Sequence, residues 1–137
     1  MSISCVARGT ASAKEEHVAM DNAIPSLMPA SLLGVFNQRD QAQRITAIAG
    51  TYAEDVVFSD PEGVVTGREA LNEKAQHVLD GAPGLVFRPT GPVRHVGNLG
   101  LLSWHLGPDN QPPVVSGTDI AIVNEGRITA LYTLLDD

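Results

Sequence analysis

Apolar residues recur along the chain with two different periods, and the change of period divides it. Between Ile24 and Phe36 they fall at Leu27, Met28, Leu32, Val35 and Phe36, a spacing of three and four that predicts a helix with one buried stripe. Pro25 and Pro29 leave the position of its first turn open, because proline fits a helix best at its start. Asp40 is a good N-cap and opens a second helix to about Ala53, with Ile45, Ile48, Ala49 and Tyr52 on one face. Val56, Val57 and Phe58 make a short β-branched and aromatic strand, closed by the turn-forming run Ser59-Asp60-Pro61-Glu62-Gly63. Thr66 or Gly67 opens a third helix, Arg68 to Leu79, with Ala70, Leu71, Ala75 and Val78 apolar, and Gly81-Ala82-Pro83-Gly84 stops it.

Beyond Gly84 the period drops to two. Strands are expected at 85–95, 99–107, 114–124 and 127–135, with a tight hairpin turn at Asn124-Glu125-Gly126 and a looser connection from Gly107 to Pro113. Helices first and strands last describe an α+β domain whose helices cover one face of a curved antiparallel sheet. Residues 1–24 mix Ser, Ala, Thr and charge without a period, and are expected to be a flexible tail ahead of a domain at 25–137; Met20 is an alternative start.

Charge narrows the partners. A net charge of −7, with nine scattered Lys and Arg and no basic run, argues against nucleic acid, which needs a clustered basic surface. The uncharged stretches are broken by Gly, Pro or Ser before they reach the length of a membrane span. The single cysteine, Cys5, excludes a disulfide scaffold within one chain, and the four histidines show no HxH or HxxxH pair, so no metal site is expected. The first residues lack a basic region ahead of an apolar core, so the expectation is a cytoplasmic protein without a secretory signal.

Two phrases carry a resemblance. Tyr52-Ala53-Glu54-Asp55-Val56-Val57-Phe58-Ser59-Asp60-Pro61-Glu62-Gly63, followed by Gly67-Arg68-Glu69-Ala70-Leu71, resembles the helix–strand–turn–helix of the nuclear transport factor 2-like superfamily. The stretch from Gly117-Thr118-Asp119 to Gly126-Arg127-Ile128 resembles its last hairpin, and the order of elements agrees over about residues 26 to 136. The branch it resembles is that of the SnoaL-like polyketide cyclases and ketosteroid isomerases. The resemblance implies a cystatin-like cone, in which a strongly bent sheet wraps a helix and leaves a mouth for a small apolar ligand. The fold hosts enzymes, binding modules and assembly domains alike.

Several residues are candidates for chemistry. Asp60 ends the first strand before Pro61 and resembles in position the general base of ketosteroid isomerases; in an apolar cone its charged form would be disfavoured. The competing reading is a turn opener that accepts backbone N–H bonds. Asp119 shares parity with Gly117, Ala121 and Val123, which places it on the apolar, pocket-facing side of its strand, where it must be protonated, paired or open to a cavity. The resemblance implies an acid there that donates a hydrogen bond to an enolate. His95 is a candidate proton shuttle, or a histidine bonded to a backbone carbonyl. Trp104, Phe36, Tyr52 and Leu131 are candidate pocket walls, with Tyr52 equally able to plug the pocket, and His105 has the outward parity.

Departures from the family pattern are visible. Where ketosteroid isomerases hold a tyrosine on the first helix, this chain has Leu32, Leu33 and Phe36, and the carboxylate–arginine–carboxylate relay of limonene epoxide hydrolases is not evident around Arg94. Two functions follow as expectations. One is a cofactor-free isomerase, cyclase or lyase acting on a small apolar carbonyl compound, with Asp60 moving a proton and Asp119 and His95 stabilising the enolate. The other is a non-catalytic ligand-binding or dimerisation module. The outward residues Ile120, Ile122, Ala130 and Tyr132 are too apolar for a solvated sheet face, which leads us to expect a homodimer through that face.

Overall fold

The computed structural model describes residues 23–136. The expected tail at 1–24 lies outside the described residues except at its end. There Ile24 already belongs to the domain, because it is fully buried and opens the first helix.

Helix α1, Ile24–Ser31, has Pro25 in its first turn, where no N–H is needed, and buries Ile24, Leu27, Met28 and Ser31 along one stripe. It runs on into a π-helical turn, Leu32–Phe36, that buries Leu32, Val35 and Phe36. Helix α2, Gln41–Thr51, is capped by Asp40, whose side chain accepts the Gln43 N–H at 2.9 Å. Its buried stripe is Arg44, Ile48 and Thr51, not the expected Ile45, Ile48, Ala49 and Tyr52, and Ile45 and Ala49 are exposed. The guanidinium of Arg44 explains the rotation. It donates to Asn72 Oδ1, the Gln38 carbonyl and Gln76 Oε1 at 2.6–2.7 Å, satisfying a buried cation at the seam with helix α3, Arg68–Asp80.

Seven strands follow: β1 Tyr52–Asp60, β2 Gly63–Thr66, β3 Leu85–Pro89, β4 Arg94–Val96, β5 Leu99–Pro108, β6 Val115–Asn124 and β7 Arg127–Leu135. Strand β1 begins at Tyr52, well ahead of the expected Val56, because the chain turns to extended backbone directly at the end of α2. Strand β2 was not expected. The β-branched run Val64-Val65-Thr66 folds back on β1 as a hairpin, with Asp60 opposite Gly63. The expected strand 85–95 is two strands, since Pro89, Gly91 and Pro92 cannot sustain one ladder.

The sheet order is β2-β1-β7-β6-β5-β3, with β4 also on β5. The sheet is mixed rather than purely antiparallel, because β1 and β7 run parallel. The expected hairpin turn at Asn124-Glu125-Gly126 is present, with positive φ at Glu125 and Gly126 and Asn124 paired with Arg127.

The inner face of the sheet packs on α1. At Gly100 an added Cβ would lie 2.5 Å from Ile24 Cγ2, so only glycine lets the helix come this close to β5. The outer face carries Ile120, Ile122 and Ala130 half-buried and Tyr132 exposed, flanked by Leu101 and exposed Leu134. No helix among the described residues is long and apolar enough to cross a membrane.

Candidate functional site

A cavity of about 330 Å³ opens between the inner face of the sheet, the π-helical turn Leu32–Phe36 and α3. Its walls are largely apolar and include Phe36, Phe58, Phe87 and Trp104, with Phe87 and Trp104 packed edge to face at 5.0 Å between ring centres. Phe87 is held in place by Asn37, whose amide donates to the Phe87 carbonyl at 3.0 Å and accepts its N–H at 2.7 Å. Arg39 fixes the neighbouring rim by donating to the carbonyls of Leu79, Ala82 and Leu85.

At the inner end lies Asp119, 5% exposed, as its strand parity predicts. One carboxyl oxygen, Oδ1, accepts both the Trp104 Nε1–H at 3.0 Å and the Thr133 hydroxyl at 2.8 Å. The other oxygen has no hydrogen-bond partner among the described residues. Burial pushes the acid up from its ordinary 3.8 to about 6, against the opposing pull of the Thr133 and Trp104 hydrogen bonds. The arrangement depends on Gly117, which stands opposite Trp104. A Cβ there would lie 2.5 Å from Trp104 Cζ2, so the indole lies over a bare backbone and reaches along β6 to Asp119.

The mouth holds the second aspartate. Asp60 lines the cavity, but its surroundings are not those of a bare apolar cone. Its Oδ1 accepts the Glu62 N–H at 3.0 Å, the turn contact of the competing reading, and its Oδ2 lies 3.0 Å from Lys74 Nζ. Lys74 also bonds to Glu62, and His77 faces the same carboxylate across 3.9 Å. Burial works to lower the Lys74 pKa, yet hydrogen bonds and charge from Glu62 and Asp60 outweigh it and the value is raised. Register relates the two aspartates: Ser59 pairs with Tyr132 and Asp119 with Thr133, so Asp60 follows beside Thr133 on the same inner face. With β7 between them, their backbones stand about two strand spacings apart, roughly 10 Å.

Three expected site residues lie elsewhere. His95 is exposed on β4 opposite Gly100, outside the cavity lining, because the Gly91-Pro92 break carries β4 to the sheet margin. Leu131 is fully buried in the core beside Phe58 rather than on the cavity wall. Tyr52 is also fully buried, its hydroxyl bonded to Ser31 Oγ, so it plugs the core. Burial raises its phenol well above the ordinary value, the Ser31 bond opposes this and the Asp119 charge adds to it. Phe36 and Trp104 do line the cavity, and His105 is exposed as its parity predicts. Among the described residues, no three His, Cys, Asp or Glu side chains cluster so as to hold a metal ion.

Sequence reasoning missed Lys74, His77, Thr133 and Gly117. Signals existed: Lys74 and His77 are three apart on one helical face, and a Gly-x-Asp on a strand facing a lone tryptophan marks a close approach.

A bent sheet closed by helices around a cavity with aromatic walls and a buried acid at its inner end defines an α+β cone. The chain belongs to the SnoaL-like domain family, whose sequence profile matches residues 33–131. Among solved structures it is similar to a proposed isomerase of the SnoaL-like family from Agrobacterium tumefaciens, with 25% identity, a TM-score of 0.78 and coverage of 85% of this chain and 99% of that one. It also resembles in fold a proposed SnoaL-like polyketide cyclase from Jannaschia (14% identity, TM-score 0.70, covering 85% and 88%). A third is a proposed ketosteroid isomerase from Kribbella flavida (18% identity, TM-score 0.66, covering 85% and 80%). Among curated proteins, no sequence matches the chain.

Proposed function

We propose that the cavity binds a small apolar carbonyl compound and that its two aspartates move a proton on that compound without a cofactor, as an isomerase, cyclase or lyase does. The observation that carries this reading is the unpartnered Asp119 oxygen in a buried aromatic cavity. Because Oδ1 already accepts two hydrogen bonds, the proton of the neutral acid resides on Oδ2 and is donated to the ligand's oxygen. Asp60 is the proton acceptor. Two of the roughly four lone-pair sites of a carboxylate are engaged by Glu62 N–H and Lys74, which leaves capacity for a C–H proton. That proton passes to Asp60 while the C–H electron pair moves into the enolate, whose oxygen Asp119 stabilises. The candidate isomerase and cyclase among the structural neighbours agree with this class of chemistry.

A second reading, a ligand-binding module without chemistry, is favoured by the double engagement of Asp60. The experiment that separates them is hydrogen–deuterium exchange of an enolisable ketone in D2O, followed by NMR. Catalysed α-exchange that disappears in Asp60→Asn supports the enzyme; binding with no exchange above buffer supports the module.

We also propose a homodimer through the outer sheet face, supported by the apolar row Leu101, Ile120 and Tyr132 and by exposed Leu134. Light scattering should give twice the chain mass, and Ile120→Lys should give the chain mass. A wild-type monomer at micromolar concentration removes the claim.

A further inference from the structure

The volume and hydrogen-bonding capacity of the cavity define the ligand more narrowly. At about 330 Å³ the space is about twice the roughly 150 Å³ known to enclose one benzene ring. Two fused six-membered rings fill such a space, and a four-ring body would have to leave part of its apolar surface outside the mouth. The buried part of the wall offers aromatic and aliphatic surface from Phe36, Phe58, Phe87, Trp104 and Leu106, which favours a flat apolar body.

The inner end offers little polar capacity. Trp104 Nε1–H and the Thr133 hydroxyl are both spent on Asp119 Oδ1, and Oδ2 is left without a hydrogen-bond partner among the described residues. A carbonyl oxygen needs one donor, and the protonated Oδ2 supplies it. A primary ammonium carries three N–H donors and would find one carboxylate oxygen, leaving the others buried without acceptors, each at a desolvation cost. A carboxylate ligand would meet Asp119 at depth and Asp60 and Glu62 at the mouth, where the Lys74 ammonium is already shared between those two.

We propose, resting on the reading of Asp119 as a ligand-facing acid, that the cavity takes a neutral ketone or aldehyde about two rings in size. Its oxygen is seated on Asp119 Oδ2, and amines, carboxylates and four-ring compounds are discriminated against.

The test is calorimetric titration of the full chain at pH 5.5 with four probes: 2-tetralone, 2-aminotetralin, 2-naphthoic acid and the four-ring ketone androst-4-ene-3,17-dione. Quenching of the single tryptophan, Trp104, reports occupancy of the same site. The expected result is that 2-tetralone binds at least tenfold more tightly than the other three and that Asp119→Leu weakens it at least tenfold. Wild-type affinity should fall as pH rises through about 6, where Asp119 loses its proton. The other titratable groups facing the cavity are Asp60, Glu62 and His77, with Lys74 bridging the first two and the Tyr52 phenol behind Asp119. His77→Gln should leave the pH dependence in place. Asp119→Asn keeps an N–H donor and the Oδ1 acceptor, so it should retain ketone binding and lose the pH dependence, which covers the case in which the leucine variant does not fold.

Equal or tighter binding of the amine, the acid or the four-ring ketone, still weakened by Asp119→Leu, overturns the ligand class and leaves the ligand-facing acid standing. No binding by any probe, or 2-tetralone binding indifferent to both Asp119 variants, overturns the reading beneath it as well.

Discussion

The two aspartates of the cavity sit on one inner face, yet the protein treats them in opposite ways. Asp119 is buried beside two neutral donors, Trp104 and Thr133, that share one of its oxygens and bring no countercharge. Asp60 has a backbone N–H on one oxygen and an ammonium on the other. Neutral donors offset only part of the cost of burying a carboxylate, so the inner acid holds its proton towards neutral pH. At Asp60 a countercharge is present, with the Lys74 ammonium 3.0 Å from Oδ2. The comparison teaches that two carboxylates on one inner face can be given quite different partners, neutral donors at one and a cation at the other.

The largest expected effect concerns the inner end. A rise in pKa from 3.8 to about 6 corresponds to roughly 3 kcal/mol at the extreme. The folded state holds the proton more tightly than the unfolded chain. Between about pH 4 and 6 folding therefore takes up a proton, stability falls as pH rises through that window, and the full cost is present above it. Asp119→Asn keeps the Trp104 and Thr133 hydrogen bonds and removes the ionisation. It should gain about 2–3 kcal/mol in urea unfolding at pH 7.5 and nothing at pH 3.5; an equal gain at both pH values would show that ionisation is not the cause.

Next comes the support of that end. Gly117→Ala places a methyl group 2.5 Å from Trp104 Cζ2 and 2.6 Å from the Leu134 carbonyl oxygen. Overpacking of this kind costs about 1–3 kcal/mol. The indole should also leave Asp119, visible as a changed tryptophan emission maximum and a shifted Asp119 titration by NMR; an unchanged spectrum would mean that the strand yields instead.

At the mouth the effect should be smaller. Lys74→Met removes the cation shared by Asp60 and Glu62. Its pair with Asp60 is largely shielded, at 12% side-chain exposure for both partners, while Glu62 is exposed, so the loss should lie at the upper end of the range for surface pairs, about 1 kcal/mol. Thermal unfolding should show that loss at low salt, and it should shrink at 1 M salt. The smallest effect is expected at His95, which is exposed and outside the cavity. His95→Ala should change stability by no more than about 0.5 kcal/mol and leave ligand affinity unaltered; a loss of binding would bring β4 back into the site.

How much of this was legible in the sequence varies from residue to residue. The inward placement of Asp119 and Trp104 followed from strand parity alone, as did the outward placement of His105. Asp60 was readable as a turn residue and as a cavity residue, and it is both. The stripe of α2 was misread because a fully buried arginine occupies an apolar-looking seam, and only its three acceptors on neighbouring elements make that position tolerable. Leu131 and Phe36 look alike as apolar residues on inward faces, and only the packing around them decides that one meets the cavity and the other the core.

What the sequence determined by itself is the type and order of nearly every element, and which side of a strand a residue takes. These follow from the spacing of residues within one segment, and a segment carries its own period wherever it is packed. What only the tertiary structure decided is partnership. It set β1 parallel to β7, put Thr133 opposite Asp119, laid Trp104 over Gly117, brought Lys74 to Asp60 and left His95 at the margin. Those choices depend on contacts between segments far apart in the chain, where register and packing are settled together and no local pattern records the outcome.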